Sequence, residues 1–175
     1  MTKIAVVTGN PKPKSRTHGV ATAVASAISG TLDGGVGGVG GVDGALDIDL
    51  IDYAPRLFEW EDAELGQLTA EVAASDVAVF ASPTYKASYT GLLKAFLDRY
   101  GSNGLAGVVA VPVMTGGWPG HLLSVEVHLR PVLVELGATV PARGLYVTEP
   151  ELADAGVAVA RWAETAVPLI ARSVG

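Results

Sequence analysis

At 175 residues the chain is about one domain's worth of sequence, so a single core is expected. Apolar residues make up 49% and charged residues 17%, which excludes an intrinsically disordered chain and supplies enough material for a sizeable core. A formal charge of −6 argues against nucleic acid or an anionic membrane as the partner, and the lack of cysteine removes disulfides, iron–sulfur clusters and thiolate chemistry.

Lys3 leads directly into Ile4–Val7, an apolar run too brief for a signal-peptide core, and no run approaches the roughly 20 residues of a membrane helix. A soluble, cytoplasmic protein is expected. Ile4–Thr8 reads as the first strand, and Gly9–Arg16 (GNPKPKSR) as a loop that two prolines keep out of regular structure. The next helix places Val20, Ala21, Val24, Ala27 and Ile28 on one side, with Ser15 or Thr17 as its cap and Gly30 as its end. Within five residues the loop carries Lys12, Lys14 and Arg16, a quarter of the twelve Lys and Arg in an acidic chain. Hydroxyls, cations and the exposed amides of a helix start suit a phosphate, while the plainer alternative is an exposed lysine-bearing loop with an ordinary cap.

Thr31–Gly44 is Gly- and Val-rich, and its Gly35, Gly37 and Gly40 satisfy GxGxxG. The dinucleotide fingerprint follows a strand and opens a helix, whereas this run follows a helix and leads into a strand, so it reads as a flexible connection. Ala45–Ala54 contains the second strand. In the loop Pro55–Asp62, Phe58 and Trp60 mark either a subunit contact or packing over the sheet edge. Ala63–Ala74 reads as the second helix.

Val77–Ala81 is continuously apolar, as a strand buried on both faces must be, and Pro83 makes Ser82–Ala87 a loop at its carboxyl end. Leu92, Leu93, Phe96, Leu97 and Tyr100 then form one helical stripe, capped by Ser88 or Thr90. Gly107–Met114 is a fourth strand followed at once by Thr115, Gly116 and Gly117, where glycines let backbone amides approach a ligand. Trp118 either lies against a flat ring or packs in the core or an interface. Gly120–Leu136 reads as a helix that is apolar on more than one side, which points to burial against another subunit, and Pro131 should kink it or disturb its bonding. Val140–Val147 supplies the fifth strand and Glu151–Arg172 the last helix. Five βα units imply a parallel sheet with right-handed crossovers, helices on both faces and ligands at the carboxyl ends of the strands.

His18, His121 and His128 have no metal-ligand spacing of the HExxH kind, and neither a GxSxG elbow nor a GxxxxGK[ST] loop occurs. No metal site and no catalytic side chain is expected. Binding groups outnumber acid–base groups, the balance of an enzyme whose cofactor carries the reaction.

The run from Pro83 to Lys94 (PTYKASYTGLLK), with Leu97 and Asp98, resembles the NADPH-dependent FMN reductase family, most closely its branch serving two-component alkanesulfonate monooxygenases. Gly9, Pro11, Ser15, Arg16 and Thr17 support the resemblance, as do Thr115, Gly116, Gly117, His121, Leu122, Leu123, Pro131, Val132 and Leu133. It implies one α/β domain over residues 1–175: a three-layer, flavodoxin-like, doubly wound sheet of five parallel strands with helices on both faces. It implies an FMN phosphate held by Asn10, Lys12, Ser15, Arg16 and Thr17. The ribityl chain and ring would lie at Pro83, Thr84, Tyr85, Lys86, Ala87 and Ser88 and at Thr115, Gly116 and Gly117. Asn10 stands where the family usually has Ser and Lys12 where it usually has Arg, which keeps the charge but gives up the bidentate fork. An extra residue in the fourth helix, near the flavin and aromatic or His in the sulfonate branch, falls at Val127 or His128.

The activity implied is hydride transfer from NAD(P)H to the flavin N5, with reduced FMN passed to a flavin-dependent monooxygenase, in a homodimer or homotetramer. The alternatives are an FMN-bound quinone or azo-type reductase and a flavodoxin-type electron carrier. Against the carrier, the first loop lacks the T-x-T-G-x-T phosphate loop.

Overall fold

A computed structural model describes residues 1–34 and 45–174. The Gly35, Gly37 and Gly40 pattern lies outside the described residues. Five strands, β1 (Ile4–Thr8), β2 (Leu46–Asp49), β3 (Val77–Pro83), β4 (Val109–Gly116) and β5 (Leu145–Thr148), form one parallel sheet in the order β2-β1-β3-β4-β5. This is the doubly wound, flavodoxin-like order, and the chain reverses direction across the sheet between β1 and β3.

Alternation within the apolar strands serves two cores. Ile4, Val6, Val77, Val79 and Val111 face α1 (Arg16–Leu32) and α5 (Ala155–Ala171), which contribute Val24, Ile28, Trp162 and Ile170. Ala5, Val7, Ala78, Phe80 and Ala110 face α2 (Ala63–Ala73), α3 (Gly91–Leu97) and α4 (Arg130–Glu135), which contribute Leu65, Phe96 and Leu133. Parallel strands covered on both sides leave no solvent face, hence the unbroken apolar runs. No helix among the described residues is long and apolar enough to cross a membrane.

Several boundaries differ from the sequence-based expectation. β2 stops at Asp49 because its partner β1 ends at Thr8, opposite it, and Leu50–Arg56 coils into a 3-10 turn instead. β5 starts five residues later than expected. Pro112 has no N–H to donate beyond the Val113–Leu145 pair, and the Arg130 guanidinium takes the carbonyls of Val140 and Ala142 (2.5 and 2.8 Å) away from the sheet. Conversely β3 and β4 run on past their apolar stretches, pairing Ser82 with Met114 and Pro83 with Thr115. The first helix continues through Gly30 to Leu32, and Thr90 rather than Ser88 caps α3.

The fourth helical segment is broken into three. A 3-10 turn spans Pro119–His121, and a wide π-type turn covers Val125–Leu129, closed by the Arg130 N–H on the Val125 carbonyl. α4 follows, with Pro131 in its first turn where no N–H is needed. A π-turn accommodates one extra residue in a helix, so the interruption expected at Pro131 takes this form. Val125 and Leu129 point into the core, whereas Val127 and His128 are exposed. Phe58 and Trp60 are exposed as well. Arg99 pins their loop, lying 5.7 Å from the Trp60 ring and donating to the carbonyls of Leu57 and Glu59 (3.0 and 3.1 Å).

Candidate functional site

All five strands point the same way, so every loop after a strand gathers on one side of the sheet. There a cleft of about 280 Å³ is lined by Asn10, Lys12, Ser15, Arg16 and Thr17 after β1, Pro83, Thr84 and Tyr85 at the end of β3, Thr115, Gly116 and Gly117 at the end of β4, and Glu149 and Leu152 after β5.

The loop after β1 is organised by its own polar groups. Ser15 caps α1, its hydroxyl oxygen accepting from the His18 N–H at 3.2 Å, which leaves the hydroxyl proton available to an anion. Asn10 is buried, and both ends of its amide are used within the loop: Nδ2 donates to Thr17 Oγ1 at 3.0 Å and Oδ1 accepts from the Lys12 N–H at 2.9 Å. Thr17 Oγ1 also shares a hydrogen bond of 2.8 Å with Thr115 Oγ1, tying the first loop to the end of β4. Asn10 and Thr17 therefore order the loop, while the exposed Lys12, Lys14 and Arg16 side chains carry its positive charge, Lys12 and Arg16 lining the cleft.

The middle of the cleft is made by β3 and β4 running past their apolar stretches. The Thr84 N–H donates to the Thr115 carbonyl at 2.7 Å, and Thr84 Oγ1 is buried with no partner among the described residues. Gly116 lines this region: a Cβ there would run into the Tyr146 hydroxyl and come within 3.1 Å of Thr84 Oγ1, so the backbone can lie this close to both side chains only as glycine. Beyond Tyr85 the chain reverses in a two-residue turn, Tyr85 and Ser88 exchanging N–H···O bonds of 2.8 and 3.1 Å. Lys86 and Ala87, at its centre, have φ of 51° and 65°. Such left-handed pairs are ordinarily Asn-Gly, so Lys-Ala is strained here and persists because flanking contacts hold it, as the Ser82 hydroxyl does by accepting the Thr90 N–H at 2.9 Å. Lys86, Ala87 and Ser88 thus lie at the rim, outside the lining residues.

Glu149 and Leu152 were not anticipated. The expected fifth strand begins too early but ends at Val147, so the stretch from Glu149 already follows a strand end; it carries none of the glycines, hydroxyls or cations that single out the other three loops. The signal was present in Glu149-Pro150, one residue beyond the apolar Leu145–Val147. The loop is held by Glu151. Its carboxyl is kept below the ordinary range by the Thr148 N–H first and the Thr148 hydroxyl next, against burial, which raises it, with Arg161 lowering it further. Across the mouth, Glu149 Oε1 pairs with Arg16 Nη2 at 2.8 Å. Trp118 stands beyond Gly117, exposed, edge-on to His121 at 4.9 Å between ring centroids.

The profile of the family described as NADPH-dependent FMN reductase matches residues 2–151. The chain belongs to the NADPH-dependent FMN reductase family. It is 35% identical over 95 residues to FMN reductase (NADPH) of Escherichia coli (strain K12), covering 54% of this chain and 50% of that protein. With the NADH-dependent FMN reductase SfnF of Pseudomonas putida it shares 30% identity over 156 residues, 82% and 76% of the two chains. Among solved structures, the apo form of NADH:FMN oxidoreductase (EMOB) has a TM-score of 0.83 at 29% identity, covering 100% of this chain and 91% of that one. The chain spans about half the length of the Escherichia coli family member.

Proposed function

We propose that this protein is an NAD(P)H-dependent FMN reductase. The observation that carries the reading is the cleft itself: in a chain of this family, a loop bearing Lys12 and Arg16 at a helix start adjoins a slot lined by Gly116 and Gly117 and by the Thr84 hydroxyl, which has no partner among the described residues. The residues present fit FMN. Lys12, Arg16, the Ser15 hydroxyl and the first amides of α1 suit the phosphate, with Asn10 and Thr17 ordering the loop beneath it. The free Thr84 hydroxyl suits a ribityl oxygen. Pro83, Tyr85 and the Thr115–Gly117 backbone suit the flat ring, with Lys86–Ser88 as its rim.

FMN supplies the hydride-accepting chemistry when bound. The chain's own residues bind and orient. The Thr84, Tyr85 and Ser88 N–H groups are already paired within the protein, so the side-chain-free backbone at Gly116 and Gly117 is where amides can approach developing negative charge, and the exposed Tyr85 and Trp118 border the open side. We place the protein in the cytoplasm, where nicotinamide is supplied, with a flavin-dependent monooxygenase as the recipient of the reduced flavin. The resemblance to the alkanesulfonate branch and the open mouth of the cleft support that recipient. Purified protein given FMN should oxidise NADPH or NADH, followed by loss of nicotinamide absorbance; no oxidation with either nucleotide overturns the reading.

A homodimer or homotetramer completes it. Leu122, Leu123, Val127 and Val134 leave 47%, 60%, 57% and 52% of their surfaces exposed along the fourth helical segment, a band of apolar surface suited to a second copy. Light scattering on the purified protein is expected to give a mass two or four times that of the chain, and a monomer at micromolar concentration removes this part.

A further inference from the structure

The cleft that should receive a phosphate dianion is lined by a carboxylate. Glu149 comes from the loop after β5, far in sequence from the cationic loop, and its backbone N–H is anchored on the Gly116 carbonyl at 2.9 Å. From there the side chain folds back over the floor: its Oε2 lies 3.4 Å from where a Cβ at Gly117 would be, and Oε1 holds Arg16 Nη2 at 2.8 Å. The lining therefore carries two cations, Lys12 and Arg16, and one anion that is already paired with the second of them.

We propose that Glu149 is a built-in counter-anion that competes with the flavin phosphate for Arg16 and keeps FMN exchangeable. This rests on the flavin reading of the cleft and adds to it how tightly the phosphate end is held. An incoming phosphate carries close to two negative charges near neutral pH and prefers the planar fork of a guanidinium. It meets Arg16 already occupied and a like charge beside it. The pair yields at small cost, because both side chains are largely exposed, 64% and 59%, and exposed ion pairs contribute little. Phosphate binding is thus an exchange of one anion for another at Arg16, in which Glu149 swings away from the floor of the cleft. Lys12, where the resemblance leads one to expect an arginine, offers a point charge and no fork, so the competition for Arg16 weighs more in this chain. An enzyme that reduces FMN and releases it needs a phosphate site of this kind: strong enough to select FMN, and loose enough to let it go.

FMN and riboflavin differ only by the phosphate, so comparing them isolates the effect. Dissociation constants for both are measured by flavin fluorescence on the wild type, Glu149→Gln, Glu149→Asp and Arg16→Ala, at two salt concentrations. Glu149→Gln is expected to bind FMN about fivefold more tightly, the size of one like-charge repulsion at a solvated site, while riboflavin affinity stays unchanged. The gain should shrink at high salt. Glu149→Asp, which keeps the charge, should stay near the wild type, and Arg16→Ala should weaken FMN about tenfold while sparing riboflavin. The role of Glu149 is overturned if Glu149→Gln leaves FMN unchanged, weakens it, or shifts riboflavin equally; the flavin reading then still stands, because the wild type binds FMN. Wild-type protein that binds neither flavin overturns the flavin reading and this one with it.

Discussion

Replacing Gly9 by alanine is expected to lower stability by about 3 kcal/mol, equivalent to a fall of roughly 6–12 °C in melting temperature for a chain of this size. A Cβ at position 9 would sit 2.5 Å from Leu93 Cβ, 2.9 Å from its Cα and 3.0 Å from its backbone nitrogen. These atoms belong to the first turn of α3, so no flexible side-chain end can swing aside. Gly9 cannot retreat either, since its N–H donates to the Ala81 carbonyl at 2.8 Å and its own carbonyl accepts the Thr90 hydroxyl at 2.6 Å. The strain would be relieved by parting the loop after β1 from α3, which also displaces Asn10 and the cationic loop beyond it. The same substitution at Gly19 meets nothing within 4 Å among the described residues and lies inside α1, where alanine is the better helix former, so it should raise stability by about 1 kcal/mol. Thermal melts followed by circular dichroism read both signs. A Gly9→Ala protein that melts with the wild type would show that α3 does not pack on Gly9 as described.

Thr90→Val should cost about 2–4 kcal/mol despite its near-identical shape. The Thr90 hydroxyl is buried, donates to the Gly9 carbonyl at 2.6 Å and accepts from the Leu93 N–H at 3.2 Å. Valine leaves both backbone groups buried and unsatisfied and removes the cap of α3. The neighbouring link, from the Thr90 N–H to the Ser82 hydroxyl at 2.9 Å, survives, so the turn at Lys86 and Ala87 loses only part of its support. Thr90→Ser keeps both hydroxyl bonds and is expected to recover most of the loss. Urea unfolding of the two variants separates the hydrogen bonds from the shape, and equal midpoints for valine and serine would rule out the hydroxyl as the cause.

How far the chain could be read in advance depended on which interactions define each part. Val77–Ala81 and Ile4–Thr8 were legible because a strand covered on both faces must be apolar at every position, a constraint written in consecutive residues. The stripe from Leu92 to Leu97 was legible for the same kind of reason at helical spacing. Strand ends were not, because a ladder stops where its partner stops: β2 ends opposite Thr8, and β5 begins where Pro112 and Arg130 allow. The residues following β1, β3 and β4 could be picked out from glycines, hydroxyls and cations in the right order. Which of them share one cleft depended on the parallel sheet bringing segments more than a hundred residues apart to the same edge.

Composition and periodicity alone thus specified the alternating α/β order, the two-faced core and the three strand-end loops, since burial and backbone geometry act on neighbouring residues. The folded arrangement was needed for what distant residues do to one another. It engages Asn10 and Thr17 inside the loop instead of leaving them free, and turns the helix around Val125–Leu129 into a π-type turn. It also sets Glu149 across the cleft from Arg16, 133 positions away in the chain. A charge so remote in sequence reaches an arginine only when the strands carrying both end on one side of the same sheet, and no local pattern encodes that distance.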